Sequence, residues 1–92
     1  DAEQWMNLIA PSERNAVESV FLAHAAGRTD SCLMRYHVRS ADGTWHRWAE
    51  RSVISERTPD GRPKQVSGEV VDLGPVEDHS EPVCVLVSPA AL

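Results

Sequence analysis

The 92-residue chain lacks the features that mark membrane, secreted and nucleic-acid-binding proteins. The apolar run near its end, residues 83–87, is far too short to span a bilayer. No basic segment followed by an apolar one opens the chain, as a signal peptide would. The net charge of −5 disfavours a general nucleic-acid binder. We therefore expect a cytoplasmic domain with no nucleic-acid partner and no membrane contact by this segment.

Motifs for catalysis and metal binding are also missing. The two cysteines, Cys32 and Cys84, are far apart and have no metal-like spacing, which favours reduced thiols. The four histidines have no i, i+4 spacing either; they are His24, His37, His46 and His79. Neither a Gly-x-Ser-x-Gly motif nor a glycine-rich phosphate loop is present. We expect that the chain is not an enzyme and has no metal site and no identifiable cofactor. Binding of an unknown small molecule is left open.

What the chain does contain is the composition of one small globular domain, with 41% hydrophobic and 25% charged residues. Residues 5–10 form an apolar segment typical of a brief helix. Pro11 and Ser12 open a second helix, and Gly27 ends it at about Ala26. One stripe of this helix carries Val17, Val20, Phe21 and His24.

Turn signals then predict a three-stranded antiparallel meander. Ser40-Ala41-Asp42-Gly43 suits a type I turn followed by a glycine at positive φ, and a second turn lies within residues 57–63. The predicted strands are residues 30–39, 44–56 and 64–73. We place a core domain at residues 1–74. Residues 75–92 then hold an acidic linker and a short strand-like segment, residues 83–87.

The first turn fixes a register that gives the hairpin two different faces. It pairs Val38 with His46 and Tyr36 with Trp48, and side chains alternate across each strand. One face is mostly apolar and collects Cys32, Met34, Tyr36, Val38, Trp48 and Ile54. The other is mostly cationic and collects Arg35, His37, Arg39, Trp45, Arg47 and Arg51.

Each face has two interpretations. The apolar face is either plain core or the wall of a small-molecule pocket, whose candidate residues are Met34, Tyr36, Trp48, Val70 and His24. The cationic face is either a solvated surface, with Glu69 placed to pair with Arg51 or Arg47, or a docking surface anchored by an exposed Trp45. The interface candidates are Arg35, His37, Trp45, Arg47 and Arg51.

Five pieces in the order of the chain resemble a PAS domain of the subgroup with a Pro-Asp-Asp-Arg helix start and an Asp-Gly hairpin. They are residues 5–14, Tyr36-His37-Val38-Arg39 with Asp42-Gly43, Glu50-Arg51, Asp60-Gly61-Arg62-Pro63, and residues 66–73. The resemblance is to the C-terminal two-thirds of the family, and the first two strands are absent. Ala10 stands where the family usually has His, and His37 where it usually has Arg.

The resemblance implies an α+β fold, in which a PAS-like antiparallel sheet of three strands is covered by one main helix. A possible extra strand at residues 83–87 would cover the edge that the missing strands leave open. It also implies a sensory or dimerisation module of a bacterial-type signal-transduction protein. Such a module relays ligand or partner binding to an output domain such as a histidine kinase or a diguanylate cyclase.

The expected partner is a second copy of the chain, bound through the sheet face or through a swapped C-terminal strand. Two alternatives stay open. One is a structural dimerisation module without a ligand. The other is a haem- or flavin-binding redox sensor, although the flavin-photoreceptor motif is missing from the chain.

Overall fold

A computed structural model of the chain describes residues 2–77 and residue 82, and it shows two helices followed by a three-stranded sheet. The elements are helix α1 (Ala2–Leu8), a 3₁₀ turn (Pro11–Glu13), helix α2 (Arg14–Ala25), and strands β1 (Ser31–Arg39), β2 (Trp45–Arg57) and β3 (Pro63–Pro75). The predicted α+β class and the order of its elements are confirmed. The expected extra strand at residues 83–87 lies outside the described residues. None of the described helices is long and apolar enough to cross a membrane.

The main helix begins and ends through identifiable backbone contacts. It was expected to begin at about Ser12, but residues 11–13 form a 3₁₀ turn first, because proline suits a first turn whose N–H groups lack partners. At the other end, Gly27 has a φ of +79° and donates its N–H to the carbonyl of His24. The N–H of Arg28 reaches the carbonyl of Ala23, which completes a Schellman motif.

The β1–β2 hairpin has the predicted register. Val38 pairs with His46 and Tyr36 with Trp48. The loop closes through the Ser40 N–H, which donates to the carbonyl of Thr44 at 2.9 Å, and Gly43 has a φ of +87°. The carboxylate of Asp42 accepts the Ser40 hydroxyl and the Thr44 N–H, and these hydrogen bonds lower the pKa of Asp42 to about 2.

Strand β3 is longer than predicted. Its end was expected at Leu73, but pairing with β2 continues to Pro75, and the N–H of Val76 donates to the carbonyl of Trp45 at 2.7 Å. A register shift between His46 and Trp48 absorbs the extra residue. Gly74 and Pro75, which resemble a stop signal in the sequence, therefore lie inside an irregular stretch of the strand.

The far end of the sheet is tied to the end of α2 by one guanidinium group. Arg57, at the end of β2, donates to the carbonyl of Gly27 at 2.9 Å and to the carbonyl of Gly61 at 2.7 Å. Its second terminal nitrogen lies 2.8 Å from the carboxylate of Asp30. The loop after α2 and the β2–β3 turn are thus joined to the same side chain.

The core lies between α2 and one face of the sheet, which we call the inner face; the opposite face is the outer face. Six buried residues form the core: Ile9, Val17, Cys32, Met34, Tyr36 and Val38. The predicted helix stripe is buried at Val17 and His24, whereas Phe21 is 38% exposed. The buried strand residues of the core all come from β1, so the inner face is closed at β1 and open at β3.

The core predicts a sharp difference between two neighbouring residues. Ile9→Ala should lower the free energy of unfolding by about 2–5 kcal/mol, because Ile9 is fully buried and its truncation leaves a cavity. Leu8→Ala is the matched control and should change it by less than about 0.5 kcal/mol, because Leu8 is 47% exposed. Urea denaturation followed by circular dichroism measures both. Equal losses would contradict the difference in burial between Ile9 and Leu8.

Candidate functional site

The candidate pocket residues do not all come together. Met34 and Tyr36 are buried side by side on the inner face, and the ring of Trp48 lies 6.2 Å from that of Tyr36. His24 is buried on α2 and faces β2. Val70 shares the inner face by register but is 47% exposed, because the helices do not extend over β3. The structure thus groups four of the five candidates and leaves Val70 at the open side.

A short hydrogen-bonded chain crosses the apolar inner face. The indole N–H of Trp5 donates to the Tyr36 hydroxyl, which donates to Oε2 of Glu50; both distances are 3.3 Å. Trp5 also makes ring contacts with Tyr36 and Phe21, at 5.9 Å and 5.6 Å between centroids. This hydrogen-bonded chain therefore connects α1 to β2 through the side chain of Tyr36, at the centre of the core.

Glu50 is the titratable end of this chain. Its partial burial raises the pKa of the carboxyl, and the Tyr36 hydroxyl and the charge of His24 offset part of that rise. Burial and the Glu50 charge raise the pKa of Tyr36 in turn. Glu50 was not among the predicted site residues, although the register that pairs Tyr36 with Trp48 also places Glu50 opposite Met34 on the inner face.

His24 has hydrogen-bond partners at both ring nitrogens. Nε2 lies 2.9 Å from the hydroxyl of Ser52, and Nδ1 lies 3.3 Å from the hydroxyl of Thr29. Within residues 2–77 and 82, no group of three His, Cys, Asp or Glu residues is arranged to hold a metal ion. Through these two contacts His24 joins α2 to β2 and to the loop that follows α2.

His37 was expected on an exposed docking surface, and this prediction is wrong. It is 5% exposed, and both carboxylate oxygens of Glu13 contact it. Oε1 of Glu13 accepts the backbone N–H of His37 and Oε2 lies against the ring Nδ1, both at 2.7 Å. The carbonyl of His37 accepts the N–H of Ala10. Because β1 is an edge strand, its outward backbone groups need partners, and residues 9–13 supply them.

Trp45 was expected as an exposed interface anchor, and this prediction is also wrong. Its side chain is 8% exposed, and the guanidinium of Arg39 lies 5.8 Å from its ring centroid. The other candidates, Arg35, Arg47 and Arg51, are exposed on the outer face. The outer face is therefore cationic without an exposed aromatic anchor.

Arg51 makes the expected ion pair, with 3.3 Å between its guanidinium and the carboxylate of Glu69. Arg35 and Arg47 instead border a small groove of about 110 Å³ on the outer face. The groove is lined by Arg35, Tyr36, His37, Arg47 and Leu73. Its cationic rim can accept a small anionic or polar group.

A larger groove lies between α1 and α2. It has a cavity volume of about 310 Å³ and is lined by Glu3, Trp5, Met6, Asn7, Glu18, Phe21 and Leu22. Aromatic walls with a few polar groups are typical of small-molecule sites. Trp5 belongs both to this groove and to the hydrogen-bonded chain that ends at Glu50, so a molecule in the groove would touch the first member of the chain. This groove was not predicted from the sequence, because its two walls come from separate helices and no local sequence pattern determines how those helices pack.

The Glu13 contact predicts a strong asymmetry between two substitutions. Glu13→Ala should lower the free energy of unfolding by about 3–5 kcal/mol, because it leaves a buried N–H and ring nitrogen of His37 without partners. Glu13→Gln should lower the free energy of unfolding much less, since the amide oxygen of Gln can still accept the backbone N–H of His37. Glu18→Ala, at an exposed position of α2, is the control and should be near neutral. Equal effects of Ala and Gln at position 13, measured by urea denaturation, would contradict this role.

Glu50 predicts a pH-dependent difference in stability. A carboxyl whose pKa is raised in the folded state binds more protons there than in the unfolded state, so it costs stability as the pH rises from its ordinary value of 4.5 through the folded value. Glu50→Gln removes this titration. The variant should match the parent chain below that range and exceed its stability above it. Thermal unfolding over a pH series measures the difference. Glu18→Gln should show none, and a constant offset for Glu50→Gln would contradict the prediction.

Comparison with known proteins agrees with this architecture. A family model for the PAS fold matches residues 1–70. No curated protein and no solved structure matches the chain significantly. The family match spans well over half of the chain, and it includes the helices, the hairpin and most of β3. The resemblance seen in the sequence is thereby confirmed, and the chain belongs to the PAS-fold family.

Proposed function

We propose that this chain is a sensory and dimerisation module of a signal-transduction protein, which relays ligand or partner binding to an output domain. The PAS fold generally serves sensory and regulatory roles rather than catalysis. The observation that carries the proposal is the path from the α1–α2 groove to the sheet. Trp5 lines the groove, Tyr36 lies at the centre of the core, and Glu50 belongs to β2.

A ligand would act on this path from its first member. A small molecule in the groove, against Trp5 and Phe21, would change the position of the indole, and the hydrogen bond to Tyr36 would pass the change to β2. The ligand shifts the equilibrium between two arrangements only as far as its affinities for them differ. The candidate pocket residues Met34, Trp48 and His24 then serve as the packed surroundings of the path, and Val70 lies outside it.

The proposed partner is a second copy of the chain. The sequence offers two surfaces for it, the cationic outer face with Arg35, Arg47 and Arg51, and a swapped strand formed by residues 83–87. A cytoplasmic output domain, such as a histidine kinase or a diguanylate cyclase, would receive the signal. This part of the proposal rests on the resemblance to sensory PAS domains.

A second candidate function is a structural dimerisation module without a ligand. It is supported by the inner face, where Met34 and Tyr36 are each 1% exposed and leave the sheet closely packed under α2. A haem sensor receives no such support, because both ring nitrogens of His24 are engaged in hydrogen bonds.

Native mass spectrometry of the purified chain tests the proposal first. The expected result is a species of twice the 10.2 kDa chain mass that carries an additional small-molecule mass. A dimer without added mass would favour the structural module instead. A ligand-free monomer at every concentration would contradict both.

The groove itself is tested by a matched pair of variants. Phe21→Ala removes one wall and should weaken retention of the bound molecule about tenfold or more, which corresponds to about 1.4 kcal/mol. Val71→Ala is the control, because Val71 is also a half-exposed apolar residue but belongs to β3. Equal retention in the two variants would contradict a site between α1 and α2.

A further inference from the structure

The outer face of the hairpin carries a charge opposite to that of the chain as a whole. The chain has a net charge of −5. Where β1, β2 and β3 lie side by side, however, the alternation of side chains brings one carboxylate of the described residues, Glu69, to the outer face. The same region of the face carries four arginines, which are Arg35, Arg39, Arg47 and Arg51. Such a separation of charge produces a local positive potential that attracts anions.

Two of the four arginines already have partners within the chain. The guanidinium of Arg51 pairs with the carboxylate of Glu69, and that of Arg39 lies against the ring of Trp45. The other two, Arg35 and Arg47, form no ion pair with any residue in the ranges 2–77 and 82. Both are exposed, so their guanidinium groups are available to an anion from solution.

These two arginines border the same groove, together with a histidine. His37 lies directly opposite Arg47 in the hairpin register, and Arg35 is two residues away from His37 on the same face of β1. Leu73 of β3 adds an apolar wall. The groove has a volume of about 110 Å³. Sites for drug-sized ligands measure roughly 300–1,000 Å³, so this groove suits a single charged group.

His37 is the buried member of this group, and its ring is oriented from behind. Its side chain is 7% exposed, and its Nδ1 lies 2.7 Å from Oε2 of Glu13. An ionised carboxylate only accepts hydrogen bonds, so Nδ1 carries a proton in this contact. A neutral ring then has only a lone pair at Nε2, whereas the imidazolium donates from both nitrogens. An anion in the groove therefore binds the charged form of the ring.

We propose that Arg35, His37 and Arg47 form a binding site for a dianionic phosphoryl group on the outer face of the hairpin. Glu13 balances the charge of the imidazolium, which leaves two guanidinium charges for the ligand. A phosphoryl group carries a charge of roughly −1.5 to −2 and matches them, whereas one carboxylate would leave a guanidinium uncompensated. The donors of a guanidinium also fit two phosphate oxygens at once. Free phosphate and a small phosphomonoester share this chemistry.

The site is built on rigid elements of the fold. All three cationic residues belong to one hairpin, whose strands pair without interruption from Ser31 to Arg39. Glu13 contacts both the backbone N–H and the ring of His37, which fixes the ring. Donors that are already in place lose little conformational freedom when a ligand binds. The site lies on the opposite face of the sheet from the α1–α2 groove and does not depend on the ligand proposed there.

Two exposed arginines of β2 provide a matched test with inorganic phosphate as the probe. Arg47→Gln should weaken phosphate binding about tenfold or more, because it removes a charged donor from the groove. Arg51→Gln is the control, since it makes the same charge change on the same strand and face but lies outside the groove. It should weaken binding less than about twofold, because salt screens charges at that distance.

Isothermal titration calorimetry at constant ionic strength measures these affinities. Saturable binding that Arg47→Gln weakens and Arg51→Gln leaves intact supports the site. Equal weakening in both variants would show diffuse attraction to the whole face and overturn the site, as would a parent chain that binds no phosphate. Acetate that binds as tightly as phosphate would overturn the assignment to a dianion.

Phenyl phosphate separates the two sources of the phosphoryl group. Tighter binding of phenyl phosphate than of inorganic phosphate, with the difference lost in Leu73→Ala, supports the site as one for a phosphomonoester whose body lies against Leu73. Equal binding of the two probes supports it as a site for the free ion. Exclusion of phenyl phosphate from a chain that binds inorganic phosphate would overturn the phosphomonoester alone.

The contact with Glu13 gives the site a measurable pH dependence. Sulfate is the probe here, because it stays a dianion from acidic to alkaline pH. Its affinity should be constant at low pH and should fall as the pH rises, because the ring of His37 then loses its second proton. Several charged groups face this ring: Glu13 favours the protonated form, and Arg35, Arg39 and Arg47 oppose it. An affinity that does not change with pH would overturn the part assigned to His37.

Nuclear magnetic resonance of the histidine rings gives an independent measurement on the unaltered chain. The Nε2 resonance of His37 should shift when sulfate is added at low pH. His46 is the internal control, because it lies on the inner face and its Nδ1 contacts the carboxylate of Asp72. Equal shifts of both rings, or no shift at His37 in a chain that binds sulfate, would overturn the proposed site.

Discussion

The carboxylate of Glu13 is the contact on which the arrangement of the helices depends. An edge strand presents backbone donors and acceptors that need partners, and here one side chain and the N–H of Ala10 supply them for His37. Glu13 lies in the turn directly before α2, and the next residue, Arg14, donates to the carbonyls of Ile9 and Asn7 near the end of α1. One short segment thereby fixes both helices relative to β1.

The attachment of the helices to β1 also explains why the core is asymmetric. The helices are attached at β1, so the buried residues concentrate there, and the inner face over β3 stays open. Tyr36 lies between these regions. It is buried against Trp5, yet its hydroxyl group contacts Glu50 on the next strand. The polar chain through the core therefore connects the helices to the more open part of the sheet.

The sequence predicted the elements and the register well, because these follow from local patterns. The loop around Gly43 and the alternation of side chains set the pairing of Tyr36 with Trp48, and the structure has this pairing. The pattern could not show that Glu13 would reach His37, because the two residues are 24 positions apart and meet only when the helix packs on the edge. The burial of Trp45 was missed for a different reason: Arg39 is its partner in the hairpin register, but the pairing alone does not show how the Arg39 side chain lies against the ring.

The guanidinium of Arg57 has a mechanical consequence. α2 is fastened to β1 at its beginning by Glu13, and the loop at its end is fastened to the β2–β3 turn by Arg57. Because both ends of α2 are held, tilting or sliding of the helix would break these contacts. A small rotation about the helix axis would disturb them least. Such a roll would turn Phe21 and His24 together, the first beside the groove and the second against Ser52. A displacement at the α1–α2 groove would thus reach β2 as a rotation of α2.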